Sequence, residues 1–199
     1  MEKLKKILTP KNLLALGLLV LAVILRFIPH IPNFAPVTAL ALFAGVYFGG
    51  ASAYLLPLAV MFISDIFLGF HSTMLFVYGS LLLTVTIGQF VKKKKNPATI
   101  FGGTIAGSIL FFIITNFGVW LTTNWYAPDL AGLIRCYYMA IPFFRNSVTG
   151  DIFYAIMLFG AYELAVFVIH KSELLPNFDP PMAGKRFPLR RRRKREKSA

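Results

Sequence analysis

Cysteine is nearly missing from this chain. Cys136 is the one thiol in 199 residues, which excludes an intrachain disulfide and a thiolate metal cluster. Acidic residues are also few, 8 against 21 Lys and Arg, for a formal net charge of +13. Charge of either sign is scarce between residues 13 and 170, where apolar stretches of helix-spanning length recur. With 57% apolar and 15% charged residues, the composition is far from that of a soluble globule. A high pI would otherwise point to nucleic acid. Here the basic residues flank the apolar runs instead of forming a patch among them, which argues against a nucleic-acid partner.

Those basic residues collect in three places. They are Lys3, Lys5, Lys6 and Lys11 at the start, the lysine run 92–95, and the tail from Lys171 on. Only Arg26, Arg135 and Arg145 lie elsewhere. Positive charge in short flanking loops marks the cytoplasmic side of a bilayer. About 20 apolar residues cross the hydrocarbon, fewer where flanking side chains reach the headgroups. The pattern predicts helices over about 12–28, 35–49, 53–70, 74–91, 98–121 and 148–170. Pro29, Pro32 and Pro36 separate the first two, because each lacks a donor and crowds the preceding turn. No small-residue cleavage pattern follows the first apolar run, so it reads as an uncleaved helix and not a signal peptide.

The expectation is an all-α membrane protein, a six-transmembrane-helix bundle with both termini cytoplasmic, in the bacterial cytoplasmic membrane. Residues 1–175 form the bundle and 176–199 a basic tail, too polar to bury anything and either disordered or bound to membrane lipids. The connection 122–147 between helices five and six, about 26 residues, is long for a compact bundle and therefore suspect as functional.

Small residues recur four apart at Ala35/Ala39, Ala41/Gly45/Gly49 and Gly103/Gly107. Such sets make a shallow groove that another backbone can approach. The groove either packs helices within the bundle or docks a partner subunit through Ala35, Ala39, Ala41, Gly45 and Gly49. Asp65, Asp151 and Glu163 are the acids within the spans. A carboxylate in hydrocarbon is expensive, so it faces the bundle interior or a cavity. Asp65 and Asp151 fall toward the outer ends of their helices and Glu163 deeper and inward. They either cap or pair, with Arg26, Arg135 or Arg145 as partners, or they shape an outward-facing polar pocket.

The outer connection and its flanks are rich in aromatics and amides. Trp and Tyr favour membrane interfaces in any case, but apolar walls with a few convergent polar groups also make a small-molecule site. The candidate substrate-binding set is Asn116, Trp120, Asn124, Arg135, Arg145, Asn146, Asp151 and Asp65. His30, His71 and Cys136 match no metal-ligand spacing, so no metal or cofactor is expected. No nucleophile–base pair or phosphate-cradling loop stands out. Thr149-Gly150-Asp151 with Ser64-Asp65 is a faint match to the motifs of intramembrane aspartyl proteases, lacking their first glycine and the tyrosine of the partner motif. An enzyme is not expected, and an intramembrane hydrolase is the third reading.

The stretch Pro32-Asn33-Phe34-Ala35-Pro36-Val37, leading into Ala39-Leu40-Ala41-Leu42-Phe43-Ala44-Gly45, resembles the early region of the S components of energy-coupling-factor vitamin transporters. Pro57-Leu58-Ala59-Val60-Met61 followed by Ser64-Asp65 is similar to them too. Thr115-Asn116-Phe117 and the segment 141–146 resemble bacterial membrane proteins of unknown function loosely grouped with these. The resemblance implies a protein that captures a vitamin-like micronutrient outside, with a membrane coupling subunit and cytoplasmic ATPases powering uptake. The family docks through two alanines four apart on its first helix. Here that helix has Ala15 and Ala22, and the spaced pair Ala35/Ala39 lies on the second. Some relatives work alone, so solitary uptake also fits. Cobalamin is the favoured vitamin because Cys136, His30 and His71 are of the kind that ligate cobalt. The reading from another class is a non-transporting structural or assembly subunit whose acids and aromatics merely pack.

Overall fold

The computed structural model describes residues 10–27 and 31–171; His30 and the basic tail 176–199 lie outside the described residues. Among the described residues six helices follow in order: α1 Pro10–Phe27, α2 Val37–Tyr47, α3 Gly50–Leu68, α4 Met74–Lys93, α5 Pro97–Thr122 and α6 Leu130–Lys171. Four of them, α3 to α6, are long and apolar enough to cross a membrane, with mean hydropathy from 1.8 to 2.2. Between 28% and 33% of those spans is buried within the bundle, and the rest faces outward. Leu75 is 84% exposed, Phe67 75% and Ile156 68%. Each such side chain left in water forfeits about 1.5–3 kcal/mol, so this surface belongs in hydrocarbon.

The hub is α2, which departs from a bundle of six full-length spans. Its 11 residues rise about 16 Å, half of the roughly 30 Å hydrocarbon core. The sequence Val-Thr-Ala-Leu-Ala-Leu-Phe-Ala-Gly-Val-Tyr is apolar on every side, as suits a helix enclosed by others. Every residue from Thr38 to Val46 is buried. It crosses α4 at Gly45 and Gly88 with backbones in contact. A Cβ on Gly45 would sit 2.3 Å from the Val85 carbonyl oxygen, and one on Gly88 2.6 Å from that of Leu42. Of the expected docking residues, Ala39, Ala41 and Gly45 are buried within the chain's own bundle, and α4 closes on Gly45. Ala35 is half-buried and Gly49 is exposed in the turn to α3. At the close of α2, Lys92 Nζ donates to the Phe48 carbonyl at 2.8 Å, satisfying an end that the helix leaves open.

The turn from α4 to α5 is closed by a capping box. Asn96 accepts from the Thr99 N–H at 3.0 Å and donates its own N–H to the Thr99 hydroxyl at 3.0 Å, with Pro97 first in the helix.

The long outer connection is not a loop. Only residues 123–129 separate α5 from α6, whose first turn is tied by the Gly132 N–H donating to Asp129 at 2.7 Å. α6 runs 42 residues through Pro142. Its buried stripe Gly132, Cys136, Ala140 continues at four-residue steps along the face that packs on α5, and Tyr137 donates to the Ile113 carbonyl there at 2.6 Å. Proline removes one helical hydrogen bond, which this continuous packing offsets.

The connections fall at two ends. Phe27 of α1 meets Phe67 of α3, and the Thr122 and Ser72 hydroxyls lie 3.5 Å apart, so loops 69–73 and 123–129 share one end. The lysine run 92–95, the start of α1 and the close of α6 lie at the other.

Candidate binding site between α2, α5 and α6

Two small pockets share Asn33, Phe111 and Ser147 in their walls and so adjoin. The larger, of about 110 Å³, reaches Thr38 and Asp151. The smaller, of about 80 Å³, reaches Thr115, Asn116 and Phe143. The chain before α2 forms their rim. Asn33 takes φ of 64°, a left-handed turn conformation that asparagine tolerates better than most residues. Asn146 of α6 donates to the Pro32 carbonyl at 3.1 Å. Phe34 packs on Gly150, where a Cβ would come within 3.1 Å of the Phe34 Cα.

Asp151 is the floor. It is 2% exposed and accepts from the Ser108 hydroxyl at 2.7 Å. The Thr38 hydroxyl and the Ala39 backbone N–H also donate to it. Pro36, the residue capping α2, offers no side-chain cap. A carboxylate from α6 does so instead, and it faces the positive end of the α2 dipole. Ser108 stands eleven residues after Pro97, about 16 Å along α5. Asp151 is therefore about midway through the bundle and not near a helix end as expected, because α6 begins at Leu130, well before the expected start of the last helix.

The other expected residues divide. Asn116 lines the smaller pocket, while its amide donates to the Phe112 carbonyl at 2.8 Å. Asn146 fastens the rim. Trp120 donates to the Ala127 carbonyl at 2.9 Å and closes the turn to α6. Asn124, Arg135 and Arg145 are exposed and line neither pocket. Asp65 is in another network: Arg26 pairs with it at 2.8 Å and also donates to Ser64, and Tyr78 donates to its second oxygen at 2.7 Å. The two aspartates thus hold separate partners.

Glu163 lies at the lysine-rich end, accepting from Tyr47 at 2.5 Å and Lys95 at 3.0 Å. His71 Nδ1 lies 2.8 Å from the Thr73 hydroxyl, and Cys136 donates to the Asn116 carbonyl at 3.4 Å. Among the described residues no three His, Cys, Asp or Glu side chains cluster as metal ligands would.

Asn33, Thr38, Ser108, Thr115 and Ser147 were not foreseen in the site. Their signal is a small polar side chain inside an apolar run, which is weak because a hydroxyl can donate back to its own helix, as Thr115 does to the Phe111 carbonyl at 2.7 Å.

A family model described as a family of unknown function, DUF6580, matches residues 6–175, a stretch that takes in all six helices, and the chain belongs to that family. No curated protein and no solved structure matches it.

Proposed function

We propose that this DUF6580 member is a membrane-embedded binding protein that takes up a small polar solute, capturing it in the adjoining pockets between α2, α5 and α6. The observation that carries this reading is the convergence of Asn33, Thr115, Asn116, Ser147 and Asp151 on a space walled by Phe111, Phe112 and Phe143. A few polar groups fixed among aromatic walls are what a small-molecule site requires. The rim at Pro32 and Asn33 opens away from the lysine run 92–95, hence to the outside if the lysines are cytoplasmic.

The pockets, about 110 and 80 Å³, are below the roughly 300–1,000 Å³ usual for drug-sized ligands. That favours a solute of a few heavy atoms over a vitamin as large as cobalamin. The small-residue groove of α2 is filled by α4, so a coupling subunit with its ATPases would need another face. Uptake by this chain alone is the simpler form of the proposal.

A structural subunit is the competing reading, and one observation favours it. Among the described residues every buried side-chain nitrogen and oxygen has a partner, so the Asp151 network is complete without a ligand. Small molecules that copurify, identified by mass spectrometry and titrated back, separate the two. Asn116→Ala and Ser147→Ala should weaken binding roughly ten- to a hundredfold, the cost of one unmade buried hydrogen bond. Asn124→Ala and Arg135→Ala should not. Equal affinity in all four variants would return the site to packing.

A further inference from the structure

A larger hollow than either of these pockets lies elsewhere, on the outer face of the α5–α6 pair. It is an apolar groove of about 440 Å³, floored by Ile100, Phe101, Ile156 and Phe159 and running from Ile152 to Glu163 along α6. From Ile152 to Glu163 the helix rises about 16 Å, close to half of the roughly 30 Å hydrocarbon thickness, which is one leaflet. At about 30 Å³ for a water-sized group, the space takes on the order of fifteen methylenes. One end of the groove is closed by Pro97 and Glu163, within a few residues of the lysine run 92–95. There Lys95 neutralises Glu163 at 3.0 Å, and Lys94, whose carbonyl accepts from the Thr99 hydroxyl in the first turn of α5 at 2.9 Å, is exposed.

We infer that this groove is a binding site for one anionic phospholipid of the lysine-side leaflet, its acyl chain lying along α5 and α6 and its phosphate meeting Lys94 at the turn into α5. Length, volume and charge agree on that occupant. A depth of one leaflet suits an acyl chain anchored at the interface, and an apolar floor with ammonium groups at one end only suits a molecule that is anionic at one end only. Lysines near a membrane surface attract anionic headgroups by about 1 kcal/mol each, so selectivity over a zwitterionic headgroup follows from the mouth and retention from the floor.

Native mass spectrometry of the full chain from detergent tests this. The protein is incubated with an equimolar mixture of phosphatidylglycerol and phosphatidylcholine carrying the same acyl chains. The expected result is one retained lipid, mainly phosphatidylglycerol. A Cβ on Gly160, which lines the groove, meets nothing within 4 Å, so Gly160→Trp starts from an unobstructed Cβ and places an indole in the groove. It should reduce retention of both lipids about tenfold. Ile156→Trp, on a side chain already 68% exposed, is the independent second filling and should act likewise. Lys94→Gln should instead reduce the preference for phosphatidylglycerol roughly fivefold, while leaving phosphatidylcholine retention unchanged. The inference is overturned by no headgroup preference in the wild type. It is equally overturned if both tryptophan variants, with helicity intact, retain lipid as before; the lysines would then form a surface patch without a groove site.

Discussion

Arg26 and Asp65 approach to 2.8 Å with Asp65 1% exposed and Arg26 17%. Taking one partner away leaves the other charge buried and uncompensated, which costs about 3–5 kcal/mol, whereas replacing both with apolar groups is often neutral. Asp65→Leu alone should therefore lower the thermal midpoint in detergent sharply, and Arg26→Leu with Asp65→Leu should recover most of the loss. A double variant as unstable as the single one would show that Tyr78 and Ser64, and not the ion pair, hold this corner. Asp151 differs because its partners are neutral donors. Asp151→Ala should cost about 1–3 kcal/mol by leaving the Thr38 hydroxyl and the Ala39 N–H without their acceptor, and combining it with Ser108→Ala should cost less than the two singles summed. These networks were unequally legible. Arg26 was a candidate partner for Asp65 as the basic residue at the close of its helix. The Asp151 network was hidden, since its acceptor role depends on a helix start brought alongside by tertiary packing, and a serine inside an apolar run carries no mark of what it touches.

At the scale of helices, the fold turns on how closely α2 and α4 approach. Gly45→Ala and Gly88→Ala place a Cβ within 2.3 and 2.6 Å of carbonyl oxygens on the opposing helix, and backbone cannot move aside as a side-chain tip can. Each should lower the thermal midpoint. Gly79→Ala and Gly102→Ala meet nothing within 4 Å and should be neutral or slightly stabilising, because alanine is the better helix former. If Gly88→Ala is tolerated like Gly102→Ala, α2 and α4 are further apart than described. The small-residue spacing that marks this crossing was readable in the sequence, but which helix fills the groove was not, because alanines and glycines suit a neighbour in the same chain as well as a partner. Helix α6 was misread for a different reason. Pro142, Arg135 and Arg145 look like a loop when a helix is required to end at the membrane surface. The four-residue rhythm of Gly132, Cys136 and Ala140 was present all along and would have carried the helix outward.

For the whole molecule the open question is which end faces the cytoplasm. The hydroxyls of Ser72 and Thr122 lie 3.5 Å apart, so the α3–α4 and α5–α6 turns must share one side of the membrane whatever the orientation. Asn96, in the turn joining α4 to α5, belongs to the other side. Short loops rich in lysine remain cytoplasmic, which predicts the run 92–95 inside and the rim of the Asn33–Ser147 pockets outside. Single cysteines at Ser72 and Asn124, in a Cys136→Ser background, should react with a membrane-impermeant maleimide on intact cells, and one at Asn96 should react only after the membrane is opened. Cys136 is 2% exposed, so its removal costs little background labelling and the Cys136→Ser protein must first be shown to fold. Labelling of Asn96 alone would invert the protein and turn the pockets toward the cytoplasm, making export or retention of a solute the reading to pursue. Labelling of Ser72 without Asn124 would break the helix arrangement itself, since no orientation of this bundle places those two turns on opposite sides.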